Sequence, residues 1–133
     1  SLSFEILRGI NRVLVEHPKE YFKYSPNRYD PIYAEIRMPQ ERYSEIFKMN
    51  FLEVVQILAQ SQIYKKEFNR WKPDQEFMDS ELLLEYGQIK GDGGESLYFI
   101  RIDPRVTQLM EMVREPAVAS MYLESGLIRS DFQ

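Results

Sequence analysis

The sequence predicts an α+β domain in which a small antiparallel sheet, a C-terminal hairpin plus a short N-terminal strand, packs against a long central helix and flanking helices. Three observations carry this reading. Apolar residues recur at three- and four-residue spacing over residues 4–16 and 51–70, as one buried helix face requires. Two apolar-alternating runs, through Leu82, Leu84 and Tyr86 and through Tyr98, Ile100 and Ile102, are joined by Gly91-Asp92-Gly93-Gly94, a hairpin signal. The order helix, strand, two helices, hairpin, two helices lacks the strand–helix alternation of a parallel α/β sheet.

The first helix spans Phe4 to Glu16, with Leu7, Ile10 and Leu14 beside Ile6 and Val13, and Glu5, Arg8, Arg12 and Glu16 opposite. Gly9 weakens it slightly. His17 at its end complements the helix dipole, a simpler role than general base. Pro18 opens a short turn through Tyr21 and Phe22, and Ser25-Pro26-Asn27 and Asp30-Pro31 mark a loop. Ile32 to Met38 alternates, Ile32, Ala34, Ile36 and Met38 inward against Tyr33, Glu35 and Arg37, as a half-buried strand does.

Pro39 ends that strand and starts a helix bearing Tyr43, Ile46 and Phe47 on one side. Asn50 then reads as an N-cap, with Glu53 completing a capping box and Met49 and Val54 a hydrophobic staple. The long central helix runs from Phe51 to about Arg70 on a stripe of Leu52, Val55, Leu58 and Ala59, extended by Ile57, Tyr64, Phe68 and Trp71. A continuous helix from Gln40 to Arg70 is the alternative. After the hairpin, Asp103 caps a helix that Pro104 begins, with Val106, Leu109, Met110 and Val113 inward. Pro116 opens a last helix through Met121 and Tyr122. Gly126 is its C-cap, and Leu127 or Ile128 packs back.

Residues 53–68, from Glu53-Val54-Val55-Gln56-Ile57-Leu58-Ala59 through Ser61 and Tyr64 to Phe68, resemble a helix of phycobilisome linker domains, in which Phe-Val-Arg-x-Leu-Ala-x-Ser-x-x-Tyr recurs. The resemblance implies one helix throughout. Val54 and Gln56 replace the family's Phe and Arg, and its following Leu-Gly-Arg-Ala-Pro is absent. The hairpin has no place in that all-helical fold, so the family is not adopted.

A chain of 133 residues suits a single domain over 1–133, with a candidate subdomain break near 72–80. The net charge of −4 divides there into +3 for residues 1–72 and −7 for residues 73–133, and oppositely charged halves can attract within or between protomers. The chain has no cysteine and one histidine, which removes disulfides, thiolate metal sites, cysteine nucleophiles and multi-histidine sites. No apolar run approaches the ~18 residues of a membrane span. The expectation is a soluble, cytoplasmic domain without a membrane role.

The glycine-rich loop is followed by a strand, whereas phosphate-binding fingerprints need a helix there. The acidic run Asp74, Glu76, Asp79, Glu81 and Glu85 places Met78 and Asp79 where a calcium loop needs a ligand and a glycine. Pro73-Asp74 with Gln88-Ile89-Lys90 resembles a magnesium-dependent nuclease pattern in which Gln88 replaces an acidic ligand. No catalytic, metal-binding or cofactor-binding residue is assigned, and no cofactor is expected.

The stretch Lys19 to Arg42 interleaves tyrosines with cations, which serves protein interfaces and single-stranded nucleic acid alike. The expectation is a non-enzymatic protein–protein interaction or assembly module that self-associates as a homo-oligomer. Its candidate interface is Tyr24, Arg28, Tyr29, Tyr33, Arg37, Arg42 and Tyr43. The alternative is nucleic-acid binding, by this basic-aromatic stretch or by a winged-helix-like unit of helix 51–70 and hairpin 86–98. The nuclease ranks lower.

Overall fold

Helix α1 (Leu2–Glu16) leads into strands β1 (Phe22–Tyr24) and β2 (Ala34–Met38), then helices α2 (Gln40–Phe47) and α3 (Phe51–Ala59). Strands β3 (Ser61–Glu67), β4 (Arg70–Pro73), β5 (Leu83–Lys90) and β6 (Ser96–Ile102) follow, then α4 (Pro104–Met112) and β7 (Ile128–Ser130). This is a computed structural model, and it describes residues 2–27, 29–67, 70–73, 81–112 and 128–130. Strands β1-β2-β6-β5 form a four-stranded antiparallel sheet, and β4-β3-β7 a three-stranded one. The α+β class and the 82–102 hairpin are as the sequence predicts.

Helices line one face of the four-stranded sheet. Its central strands meet in the register Ala34↔Ile102, Ile36↔Ile100 and Met38↔Tyr98, so one set of alternate side chains faces the helices together. Ala34, Ile36, Met38, Ile100 and Ile102 are fully buried there, against Ile6, Ile10 and Val13 of α1, Tyr43 and Phe47 of α2, and Val106 and Leu109 of α4. The Tyr43 hydroxyl reaches the carbonyls of Tyr98 at 2.8 Å and Ile36 at 3.2 Å, tying α2 to both central strands.

The long central helix is not formed. Helix α3 has nine residues, and residues 61–67 are a strand, which also ends the resemblance to the helical linker segment. The Ser61 hydroxyl donates to the Ile57 carbonyl, taking a helix-terminal acceptor that a further turn would need. Beyond it, β3 pairs with β4 on one side and β7 on the other, and this tertiary pairing overrides the helix propensity of Lys65, Lys66 and Glu67. The apolar stripe of α3 is also rotated from the expected one. Phe51, Val54, Val55, Ile57 and Leu58 are buried, whereas Leu52 is 63% exposed, because Phe51 packs its ring on Tyr43 and Tyr98.

A continuous 40–70 helix is excluded as well. Lys48 takes the left-handed conformation that closes α2, and Asn50 caps α3 by accepting from the Glu53 N–H at 2.9 Å. Its side-chain amide also donates to the Glu53 carboxylate at 2.9 Å. Asp103 caps α4 through the Arg105 N–H at 2.9 Å. The Ile32–Met38 strand begins two residues late, at Ala34, since Ser25 holds the incoming loop by accepting from the Ile32 and Tyr33 N–H groups. Ile32 is exposed. Phe22 belongs to a strand rather than to the expected turn. The last helix and its Gly126 cap lie outside the described residues.

Gly9 shows why the first helix tolerates a poor helix former. A Cβ there would fall inside the Phe47 ring, so the glycine lets α1 and α2 meet closely. Helix propensity alone would make Gly9→Ala stabilising by about 1 kcal/mol. The packing makes it destabilising by about 1–3 kcal/mol, a sign that urea denaturation reads directly.

Burial of the Tyr43 phenol, reinforced by the charge of Glu35, pushes its pKa far above the ordinary tyrosine range. Burial raises that of Tyr21 too. An unfolded tyrosine ionises near about pH 10, so above that pH the unfolded chain sheds protons that the folded chain keeps. Full stability below about pH 10 and a steep fall above it are expected in urea midpoints, with a shallower fall for Tyr43→Phe.

Candidate functional site

The opposite face of the four-stranded sheet is the candidate site. The pleat that buries Ala34, Ile36 and Met38 sends Glu35 and Arg37 the other way, together with Lys23 of β1 and Phe99 and Arg101 of β6. Among the described residues no helix packs on this face. Its middle row crosses all four strands in the register Lys23↔Glu35↔Arg101↔Glu85, with charges that alternate in sign.

Glu35 is the centre of the row. Its side chain is 4% exposed and accepts from Arg37 Nη2 at 2.9 Å and Arg101 Nε at 3.1 Å. Arg101 continues to Glu85 at 2.5 Å and lies over the rings of Tyr33 and Phe99, 4.5 and 5.1 Å from their centroids. The bond to Glu35 raises the Arg101 pKa further, so the guanidinium stays charged. The Phe99 ring in turn covers Gly87 on β5, where a side chain would meet it at 3.0 Å. Arg37 Nε is buried without a hydrogen-bond partner among the described residues, and Lys23 makes no ion pair among them.

An open groove of about 400 Å³ lies beside this row. Lys23, Arg37 and Lys90 line it together with Glu20, Asp92 and Glu95, so it is a mixed-charge surface rather than a basic one. A hydrogen bond from Tyr21 holds the Glu20 carboxyl below its usual range.

The structure divides the expected interface residues. Tyr33 and Arg37 stand on the open face, flanking Glu35. Tyr43 is wholly buried and belongs to the core, and Tyr24 faces the helices, its hydroxyl 3.2 Å from that of Thr107. Arg42 lies on α2, paired with Glu45 at 2.5 Å. Tyr29 is 95% exposed in the loop after β1, and Arg28 lies outside the described residues. The sequence reading missed Glu35, Glu85, Phe99 and Arg101. Alternation around Glu35 and Arg101 marks them as facing away from the core, but only the strand order makes them neighbours.

The other candidate chemistries fare as follows. Helix 51–70, the reading helix of the winged-helix alternative, does not exist as such. Gly91 to Gly94 form the hairpin turn, closed by the Gly91 N–H on the Glu95 carbonyl at 2.8 Å. Asp74, Glu76 and Asp79 lie outside the described residues, and Glu85 is held by Arg101. His17 sits at the end of α1 with Nδ1 3.3 Å from Glu20. Among the described residues no group of His, Asp and Glu gathers as a metal site, and no helix is long and apolar enough to cross a membrane.

Removing the Glu35 carboxylate leaves Arg37 and Arg101 facing each other with no counter-charge between them. Breaking a fully buried pair costs about 3–5 kcal/mol. Both arginines remain partly solvated, so Glu35→Ala is expected to cost about 2–3 kcal/mol in urea denaturation, with Glu35→Gln between it and the parent chain.

No protein-family model matches the chain, and neither a curated protein nor a solved structure matches it.

Proposed function

We propose that this domain is a non-enzymatic protein-interaction module that associates with itself. The observation that supports this best is the sheet face on which no helix of the described residues packs. It combines laterally paired charges with the apolar surfaces of Tyr33, Leu97 and Ile89, a mixture that suits a protein partner. The carboxylates of Glu20, Glu35, Glu85, Asp92 and Glu95 on or beside it disfavour a polyanion. The Phe99 ring, 8% exposed and beneath Arg101, has little face left for a base to stack on.

A second reading, nucleic-acid binding, is favoured by the β3–β4 hairpin. Its backbone register sets Lys65 opposite Lys72, Lys66 opposite Trp71 and Glu67 opposite Arg70. Several cationic residues within one hairpin are what contacts to a phosphate backbone draw on.

Size-exclusion chromatography with light scattering at low salt, recording absorbance at two wavelengths, separates the two. Self-association predicts a mass above 15.9 kDa that rises with concentration and a protein-like absorbance ratio. A monomer at high concentration that co-purifies with nucleic acid would replace the first reading by the second.

A further inference from the structure

We infer that two copies of the chain associate face to face through the open surface of the β1-β2-β6-β5 sheet, about a two-fold axis parallel to the strands. This rests on the self-association proposed above and specifies its geometry. The row Lys23, Glu35, Arg101, Glu85 reads plus, minus, plus, minus across the sheet. Reversed, the same row reads minus, plus, minus, plus. A rotation about the strand direction performs that reversal, laying β1 over β5 of the second copy and β2 over β6 of the second copy. Lys23 then faces Glu85 of the second copy, and the register position of Glu35, whose carboxylate is held by Arg37 and Arg101 of its own chain, lies opposite that of Arg101 of the second copy. Each contact occurs twice, as an isologous interface demands.

The competing arrangements are poorer on the same grounds. A two-fold axis across the strands lays each strand on its own counterpart and opposes like charges along the row. Edge-to-edge association meets a three-residue β1 on one side and, on the other, a β5 broken by a register shift between Leu83 and Glu85, both devices that blunt edges. Within the face-to-face arrangement the register position of Arg37 lies opposite that of Phe99 of the second copy rather than opposite another cation, because the two are register partners. Lys23, with no ion pair among the described residues of its own chain, gains one.

Four strands of about five residues present a face of roughly 20 by 20 Å. That is small for a permanent interface, so the dimer is expected to be reversible and weakened by salt. Lys23 and Glu85 are exposed and lie at the ends of the row, so reversing either leaves the core untouched, and Lys23→Glu, unlike Glu85→Lys, also keeps the Glu85–Arg101 pair of its own chain. Lys23→Glu and Glu85→Lys each place like charges opposite one another at both symmetric contacts. Each alone is expected to raise the dissociation constant tenfold or more by light scattering.

Mixed in equal amounts, the two variants restore opposite charges at both contacts, and the heterodimer is expected to form about as tightly as the parent dimer. Circular dichroism of each variant matching the parent separates dissociation from misfolding. If either reversal fails to fold, Lys23→Gln and Glu85→Gln supply the milder pair, each expected to weaken the dimer severalfold. A parent chain that dimerises while its charge variants dimerise equally well, or whose variants are not rescued by mixing, overturns the face-to-face geometry and leaves self-association standing. A parent chain that stays monomeric at high concentration overturns both.

Discussion

The phenol of Tyr43 reaches two carbonyls on adjacent strands, those of Ile36 and Tyr98, and the rest of the packing depends on that bridge. A buried hydroxyl without partners would cost a few kcal/mol, so the bond fixes how deep α2 sits on the sheet. Once α2 is seated, Phe47 is set against Gly9, which determines how closely α1 approaches. Lys48 and Asn50 then turn the chain so that Phe51 stacks beside Tyr43 and Tyr98. The helices are thereby committed to one side of the sheet.

That commitment creates the open face. With its inner surface filled, a sheet of alternating side chains must display every other residue, and here those residues include carboxylates and guanidinium groups. They pair along and across strands, Arg37 and Arg101 both meeting Glu35, so the face is ordered by its own ion pairs. The charge asymmetry between the two halves of the chain does not explain these contacts. Glu35 comes from the basic half and Arg101 and Arg105 from the acidic half, and Arg105 pairs with Asp103 of that same half. Local register, rather than net charge, determines who meets whom.

The same lateral pairing bears on association. A row of alternating charge is satisfied in part by its own neighbours, so the isolated surface is stable in water. It still carries a pattern that its own two-fold image matches. Exposed ion pairs contribute little to stability but discriminate between orientations, because like charges in the wrong arrangement are costly.

Much of the local structure was determined by the sequence itself. The α2 face of Tyr43, Ile46 and Phe47, the Asn50 and Asp103 caps, and the glycine-rich hairpin follow from spacing and side-chain chemistry within a few residues. What ran from Ser61 onward did not. Lys65, Lys66 and Glu67 are good helix formers, and their strand conformation comes from partners at Arg70–Pro73 and Ile128–Ser130, the second of them far along the chain. The candidate site was hidden for the same reason. Lys23, Glu35, Glu85 and Arg101 are scattered in sequence, and each alone reads as an ordinary polar position on a strand. Hydrogen bonding between strands is not confined to neighbours in sequence, so only the strand order β1-β2-β6-β5 could set the four in one row.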